Sequence, residues 1–313
     1  MALSGSYNDL YVRQYTDMIE HELQQKGSRL RGLVNIETAM GERRYFNKLG
    51  KLGSYTRTSR LEAVQLQDQT NERRFVTPTY IEAAVGIDDI DLIRYQRSPQ
   101  PELAEALALE LGRQMDTIII NALGGSAERE VNGSFSAAAF DATNFQIAVN
   151  SNSLAATSMS GDTGLHEGKL IQAKQKLLSA YATDGNEELY VVGPAKQLAG
   201  MLSRAFASDS AAYMQGMPQV NLPGLEKSLD GLLGMRFIMY EDSGTSSGDQ
   251  YVYVFPKSAV KLGVWKDINF RVDDRVDMAG GVKQVKANMA IGAVRMFEEK
   301  VVRILCDPTP AYA

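Results

Sequence analysis

Residues Ser98–Gly125 read SPQPELAEALALELGRQMDTIIINALGG, the clearest helical pattern in the chain. Ser98 supplies a helix N-cap, and prolines stand in the first turn, where no amide donor is needed. The apolar residues recur every three or four positions and form one stripe: Leu103, Ala106, Leu107, Leu111, Met115, Ile118, Ile119 and Ala122. The paired glycines at 124 and 125 end the pattern. The spacing predicts a helix over residues 99–123, a rod roughly 37 Å long at ~1.5 Å per residue.

A long excursion precedes this helix, from about Met40 to Asp91. Residues 73–86, RRFVTPTYIEAAVG, are rich in β-branched and aromatic side chains, whereas residues 65–71, QLQDQTN, are polar. This pattern predicts a long two-stranded ribbon with a polar tip. Because an isolated two-stranded ribbon is marginally stable in water, we expect its support to come from outside the monomer.

The first 26 residues predict an amphipathic helix. Seven apolar or aromatic residues recur there at helical spacing: Tyr7, Leu10, Tyr11, Tyr15, Met18, Ile19 and Leu23. Ser6 is a suitable N-cap and Gly27 a suitable end. We expect the tyrosine face of this helix to dock on its own subunit or on a neighbour.

Beyond the long helix the pattern is that of an α+β protein. Residues 126–164 predict a surface loop with short helical or strand pieces. Further elements are expected at 166–181 (helix), 189–192 (strand), after Gly193-Pro194 (helix) and 235–240 (strand). From Tyr251 onward the chain predicts strands almost throughout, which we expect to form an antiparallel sheet under the long helix.

Charge is unevenly distributed, although the net charge of −5 is modest. Six basic residues and no acidic one lie between positions 43 and 60: Arg43, Arg44, Lys48, Lys51, Arg57 and Arg60. Glu102 and Glu105 follow on the long helix. A chain with a basic arm and an acidic region suits head-to-tail contact between identical copies. A solvated basic loop is the alternative.

The side chains that commonly carry catalysis are few: His21, His166 and Cys306 are the only histidines and the only cysteine. His21 lies between two glutamates that point about 100° apart on a helix and cannot converge as ligands. His166 reads as a helix-start residue, and Cys306 as a small buried residue at a strand end. The sequence has no phosphate loop, dinucleotide fingerprint, zinc motif or nucleophile elbow. We therefore predict no catalytic, cofactor or metal residues.

Two acidic clusters, residues 88–91 and 273–277, could offer oxygen ligands to a hard cation but lack the glycine-punctuated spacing of a calcium loop. Apolar runs such as Ile118–Ile120 are far short of the ~20 residues that span a bilayer. The N-terminus has no basic and then apolar signal sequence. We expect no membrane partner, and the single cysteine suits a reducing cytosol.

Two stretches and the order of parts carry a family resemblance. Residues 77–94, TPTYIEAAVGIDDIDLIR, and residues 251–277, YVYVFPKSAVKLGVWKDINFRVDDRVD, are similar to major capsid proteins of tailed bacteriophages, whose fold encapsulin shells share. The resemblance implies an α+β capsid fold with an N-terminal arm (1–35) and an extended β-hairpin loop (36–92). It implies a peripheral domain (93–185 and 251–313) containing the spine helix (99–123), and an axial α/β domain (186–250).

The resemblance also implies a function. The chain would be a structural subunit, not an enzyme, that self-assembles into pentamers and hexamers of an icosahedral head enclosing double-stranded DNA. It would reside in the virion, and in the host cytoplasm during assembly. Implied partners are other copies of the chain, a portal, a decoration protein and packaged DNA held by non-specific contact. A separate scaffolding protein is expected, since the chain enters its arm within ten residues of Met1.

The inter-subunit contact candidates are the six basic residues at positions 43–60, the acidic pair Glu102 and Glu105, and the tyrosines Tyr7, Tyr11 and Tyr15. The loop 207–225 is expected at the capsomer centre. Two alternatives remain open. One is an encapsulin-like cellular shell, and the other is an α+β hydrolase whose carboxylate is Asp273 or Asp274.

Overall fold

A computed structural model describes residues 25, 27–50, 52–60, 63–64, 66, 71–88, 100–131, 133–151, 162–183, 187–207, 229–275, 277 and 282–309. The chain divides into two compact units. The smaller unit contains residues 81–112 and 268–289, and the larger one contains residues 28–80, 113–267 and 290–313. The predicted N-terminal helix and the loop 207–225 lie almost wholly outside the described residues.

The long helix is confirmed as α1, Gln100–Gly124. Its stripe is buried at every fourth residue: Leu107, Leu111, Met115, Ile119 and Leu123. The helix ends at the paired glycines as predicted, and the Gly125 amide donates to the Asn121 carbonyl. A side chain on Gly124 would collide with the Tyr253 hydroxyl, so the glycine permits close approach there.

The excursion begins as the predicted hairpin. Strand β2 (Arg44–Leu49) pairs antiparallel with β3 (Asn71–Val76). The expectation that its support comes only from outside the monomer is wrong. Strand β5 (Ala127–Val131) pairs with β3, and β6 (Ser134–Ala138) pairs with β5, giving a four-stranded sheet. The supporting strands β5 and β6 come from residues 126–164, the stretch predicted as a loop with short strand pieces. A two-stranded ribbon is marginally stable alone, and these two strands extend it to a stable sheet within the same chain.

A six-stranded sheet forms the main body of the larger unit, in the order β7–β14–β11–β8–β9, with β10 paired to β11. The bounds are β7 Gln146–Ile147, β8 Leu189–Gly193, β9 Met235–Met239, β10 Thr245–Ser246, β11 Asp249–Pro256 and β14 Val302–Cys306. Strand β11 is antiparallel to β14 and β8, whereas β9 and β7 join in parallel. The expected antiparallel sheet is therefore mixed.

Helices cover this sheet and complete its core. They are α2 (Ala142–Phe145), α3 (Glu167–Ser179) and α4 (Ala195–Ala207), and the last two match the predicted helices. Leu170 and Leu177 of α3 and Leu198 of α4 join Val191 and Val254 in one buried cluster. The cluster spans residues on both sides of position 250, where the sequence suggested a boundary between axial and peripheral domains. That division stays a prediction.

Two long strands, β12 (Val260–Asp274) and β13 (Lys283–Arg295), run through both units. With β1 (Asn35–Thr38) and β4 (Thr79–Ile87) they form a sheet in the order β1–β12–β13–β4. In the larger unit, β1 pairs in parallel with the start of β12. In the smaller unit, Lys286 of β13 lies 3.2 Å from Glu82 of β4. The late strands predicted from Tyr251 onward are confirmed.

Candidate inter-subunit surface

One face of the four-stranded hairpin sheet carries an aromatic cluster. Tyr45 and Phe75 are directly paired across β2 and β3, with ring centroids 5.7 Å apart. Phe135 of β6 meets the Phe75 ring edge-on at 5.5 Å. Tyr45 is 40% exposed and Phe135 58% exposed, so much of this aromatic surface remains open to a partner.

Arg43 lies on this aromatic face. Its guanidinium carbon is 5.2 Å from the Phe75 centroid and 5.0 Å from the Phe135 centroid, the geometry of a double cation–π contact. Its Nε is buried without a hydrogen-bond partner among the described residues, and the Glu42 carboxylate is 3.8 Å away. The rings therefore fix the orientation of this basic side chain.

Two further basic candidates find carboxylates within their own chain. Arg44 lies 3.4 Å from Glu37, which also accepts a 2.5 Å hydrogen bond from Lys261. That hydrogen bond, together with the neighbouring cations, lowers the pKa of Glu37. Lys48 lies 3.9 Å from Glu72. Part of the positive charge seen in the sequence is thus neutralised locally, by glutamates outside the 43–60 window.

Arg57 and Arg60 differ in the contacts that their guanidinium groups make. The Arg57 guanidinium donates to the backbone carbonyls of Ser59, at 2.8 Å, and of Arg60, and so closes a turn in its own segment. Arg60 is exposed, and its guanidinium makes no ion pair or hydrogen bond with any described residue. Of the two, Arg60 is the cation presented to solvent.

The remaining candidates are distributed as follows. Glu102 is partly buried and Glu105 exposed on the first turns of α1, in the smaller unit. Lys51, Tyr7, Tyr11 and Tyr15 lie outside the described residues. The structure therefore leaves the proposed pairing of the basic arm with the acidic helix start as a prediction.

A buried charge network beneath the hairpin was missed by sequence reasoning. Arg295 of β13 is fully buried and donates to the carbonyls of Leu123 at 2.7 Å and Gly125 at 2.8 Å, at the end of α1. Its Nε donates a 2.6 Å hydrogen bond to Glu298. The cation thereby satisfies backbone acceptors that a helix end leaves unpaired.

The network continues into the hairpin. Glu298 also lies 3.0 Å from the buried Arg74 of β3, and Arg74 lies 2.8 Å from Glu72. These last two contacts are ion pairs whose angles fall outside hydrogen-bond geometry. Arg295, Glu298, Arg74 and Glu72 thus form one chain of alternating charge that connects the end of α1 to the base of the hairpin. No short-range sequence signal marks it.

A second residue that sequence reasoning missed, Asp116, fixes the segment 28–31 at the start of the larger unit. Asp116 of α1 is fully buried and accepts hydrogen bonds from the Ser28 hydroxyl at 2.5 Å, the Arg29 amide at 2.9 Å and the Leu30 amide at 3.1 Å. Ion pairing of Arg31 with Asp267, at 2.5 Å, adds a surface contact nearby. Residues 28–31 are therefore fixed to the body.

The candidates for catalysis occupy structural positions. His166 caps the start of α3, and Cys306 is buried at the end of β14, where burial raises the pKa of its thiol to about 12. Asp273 is paired with Arg271 at 2.6 Å, and Asp277 with Arg275 at 2.5 Å. Within the described ranges, no group of three potential metal-ligating side chains converges. No helix in that part of the chain is long and apolar enough to cross a membrane.

The sequence as a whole matches a known family. A sequence profile of the phage capsid protein family aligns with residues 8–308. The chain belongs to this family. No protein with a curated description matches the sequence.

Solved structures of phage capsids are similar in fold to this capsid protein. The capsid of cyanophage Pam1 matches with a TM-score of 0.68 and 12% identity, covering 98% of both chains. The capsid of Ralstonia phage GP4 matches with a TM-score of 0.67 and 11% identity, covering 96% of this chain and 97% of the other. The capsid of cyanophage P-SCSP1u gives 0.63 and 12%, over 98% and 96%.

These matches confirm the main sequence-based prediction. The protein has the capsid fold of tailed phages, and it is a structural protein of the virion capsid that self-assembles into the shell. Among the described residues, the hairpin sheet has an exposed aromatic face, and the Arg60 guanidinium, in the segment between β2 and β3, makes no ion pair or hydrogen bond with another described residue.

Proposed function

We propose that the capsid protein assembles as pentamers and hexamers into an icosahedral head that encloses double-stranded DNA, and that it carries no catalytic activity. The supporting observation is the family match across residues 8–308, which includes every strand and helix of the described body. A separate scaffolding protein, a portal, a decoration protein and non-specific contact with DNA complete the proposed set of partners. Assembly takes place in the host cytoplasm.

The contact between subunits is proposed to be head-to-tail. The basic hairpin and the exposed aromatic face of one copy lie against the body of the next, because each subunit then supplies both halves of a complementary surface. Exposed Tyr45 and Phe135 supply apolar area, and the hairpin cations supply orientation and on-rate.

Neither alternative has a comparable observation in its favour. The hydrolase alternative requires a reactive carboxylate at Asp273 or Asp274, but Asp273 is partly buried and ion-paired with Arg271. The encapsulin reading shares the fold, whereas the matching family is that of phage capsid proteins.

Particle content tests the proposed function. Shells isolated from cells that produce the protein with the packaging genes of the same phage should contain DNA, with an absorbance at 260 nm above that at 280 nm and a high buoyant density. Nuclease digestion of opened particles should remove that signal. Shells that hold a defined cargo protein and no DNA would contradict the proposal and support the encapsulin reading.

A further inference from the structure

A cleft of about 400 Å³ opens at the carboxyl end of α1. Its walls come from the β3–β4 junction, the last turns of α1, the start of β5 and Gly292 of β13. A Cβ atom on Gly292 would lie 2.5 Å from the Thr77 carbonyl oxygen, so this glycine lets β13 approach the junction closely. The volume is at the lower end of the range of protein ligand sites.

The lining has an apolar part and a polar rim. Phe75, Val76, Ile118 and Val294 supply the apolar part. Thr77, Thr79, Asn121 and Ser126 supply hydroxyl and amide groups. This combination suits a long side chain with an aliphatic stem and a polar head.

The charge of the cleft selects the sign of that head group. Glu128 lines the cleft, is exposed, and makes no hydrogen bond or ion pair with any residue that the structure describes. Arg295 also lines the cleft, but its guanidinium is already bound to the carbonyls at the end of α1 and to Glu298. The uncompensated charge is therefore negative, and a guanidinium is the group that pairs best with a carboxylate.

One basic residue in the described part of the 43–60 window remains available as the occupant. Arg43, Arg44 and Lys48 have partners within their own chain, and Arg57 is bound to backbone carbonyls of its own turn. Arg60 is exposed and without a partner among the described residues. The Arg57 turn holds the backbone next to Arg60, which lowers the entropy cost of fixing that residue in a contact.

We propose that the Arg60 guanidinium of one copy binds in this cleft of a second copy, with Glu128 as its ion-pair partner. Neither group finds its counterpart inside its own described chain, and their charges are complementary. The inference rests on the proposed head-to-tail assembly and adds to it a defined donor and a defined receptor site. The receptor is the cleft at the carboxyl end of α1, not the acidic first turns that contain Glu102 and Glu105.

Charge reversal and its repair test the pair. Arg60→Glu and Glu128→Arg should each lower the assembled fraction by about tenfold or more, because like charges then meet at a partly desolvated contact. The double variant, with the charges exchanged, should regain assembly to within about threefold of the wild type. The assembled fraction is measured by sedimentation velocity, and circular dichroism verifies that each subunit is folded.

Matched controls separate the site from general charge effects. Lys257→Glu and Glu299→Arg change the same charges at exposed positions elsewhere and should assemble like the wild type. The neutral variants Arg60→Gln and Glu128→Gln disturb folding less. Each should lower the assembled fraction, but by less than the corresponding charge reversal.

Each outcome is decisive. Wild-type assembly by both single variants, or loss in both without repair in the folded double variant, overturns the pairing. Loss with Glu128→Arg alone, while Arg60→Glu assembles normally, means that a cation other than Arg60 occupies the cleft and also overturns the pairing. A wild-type chain that never assembles contradicts the proposed function. The Arg60–Glu128 pairing, which rests on assembly, is then wrong as well.

Discussion

Arg295 and Glu298, three residues apart, form a buried ion pair joined by a 2.6 Å hydrogen bond, and the same guanidinium closes the carboxyl end of α1. The pair therefore does two things at once. It neutralises a cation that has no access to water, and it connects the end of the longest helix to the short 3-10 turn Glu298–Lys300 that follows β13. Through Arg74 the connection extends to the hairpin.

Replacement of Arg295 by Met should be strongly destabilising. The change keeps much of the aliphatic volume but leaves the Glu298 charge half-compensated and the helix-end carbonyls unpaired, so we expect a loss of about 3–5 kcal/mol in the free energy of unfolding. Urea denaturation of the unassembled subunit measures it. Arg236→Met, at a surface pair with exposed partners 4.0 Å apart, is the control and should change stability by less than about 1 kcal/mol. An equal effect in both variants would show that the network is not stabilising.

Gly292→Ala should destabilise through steric crowding. The added methyl group would lie 2.5 Å from the Thr77 carbonyl oxygen and 2.6 Å from a Val76 methyl, and both belong to packed strands. We expect a loss of about 1–3 kcal/mol in the same denaturation experiment. Gly32→Ala, which meets nothing within 4 Å, should be close to neutral. Neutrality of Gly292→Ala would mean that β13 and the Thr77 junction can move apart freely.

The sequence specified the elements whose signals are local. Helix α1 was predicted within one residue at each end because its N-cap residue, its stripe and its terminal glycines lie within the helix sequence or directly beside it. The hairpin was predicted from alternating β-branched and polar stretches. The additional strands β5 and β6 were recognised only as possible short pieces, because nothing in a run such as SFSAA indicates which sheet it will join.

The contact surface was predictable only in part. Counting charges identified Arg43 to Arg60 as a basic window, but it could not show that Arg44 meets Glu37 or that Lys48 meets Glu72. Arg295 and Asp116 were missed, since their partners lie far away along the chain, at Leu123 and at Ser28. Long-range pairing of polar groups leaves no periodic pattern, so it became visible only in three dimensions.

Asp116→Ala should increase the local opening of residues 28–31. The carboxylate accepts the Ser28 hydroxyl and the Leu30 amide, and its removal leaves a buried donor unpaired, which costs about 1–3 kcal/mol. Hydrogen exchange followed by mass spectrometry should show faster exchange in a peptide that spans residues 28–31, with little change in β11. Thr117→Ala, at the exposed neighbouring position on α1, serves as the control. Unchanged exchange at residues 28–31 would contradict the anchoring role.

Glu37 should make stability depend on pH. Its pKa is lowered from 4.5 by the hydrogen bond from Lys261, so the charged form is favoured in the folded state. The stabilisation is therefore present above pH 4.5 and is lost as the pH falls through the lowered pKa. Glu37→Gln should be less stable than the wild type at pH 7, by about 0.5–1 kcal/mol, with the difference vanishing in acid. A difference that stays constant from pH 7 to pH 3 would assign the effect to packing instead of charge.

The most direct test of the account is the structure of the assembled particle. Electron cryomicroscopy of particles formed by the protein should show a closed icosahedral shell, with pentamers at the vertices and hexamers between them, in which the hairpin of each subunit lies on its neighbour. Arg60 should then be found in the cleft beside Glu128 of the adjacent copy. A protein that remains monomeric or dimeric under all assembly conditions, or a shell whose hairpins contact no neighbour, would contradict the account.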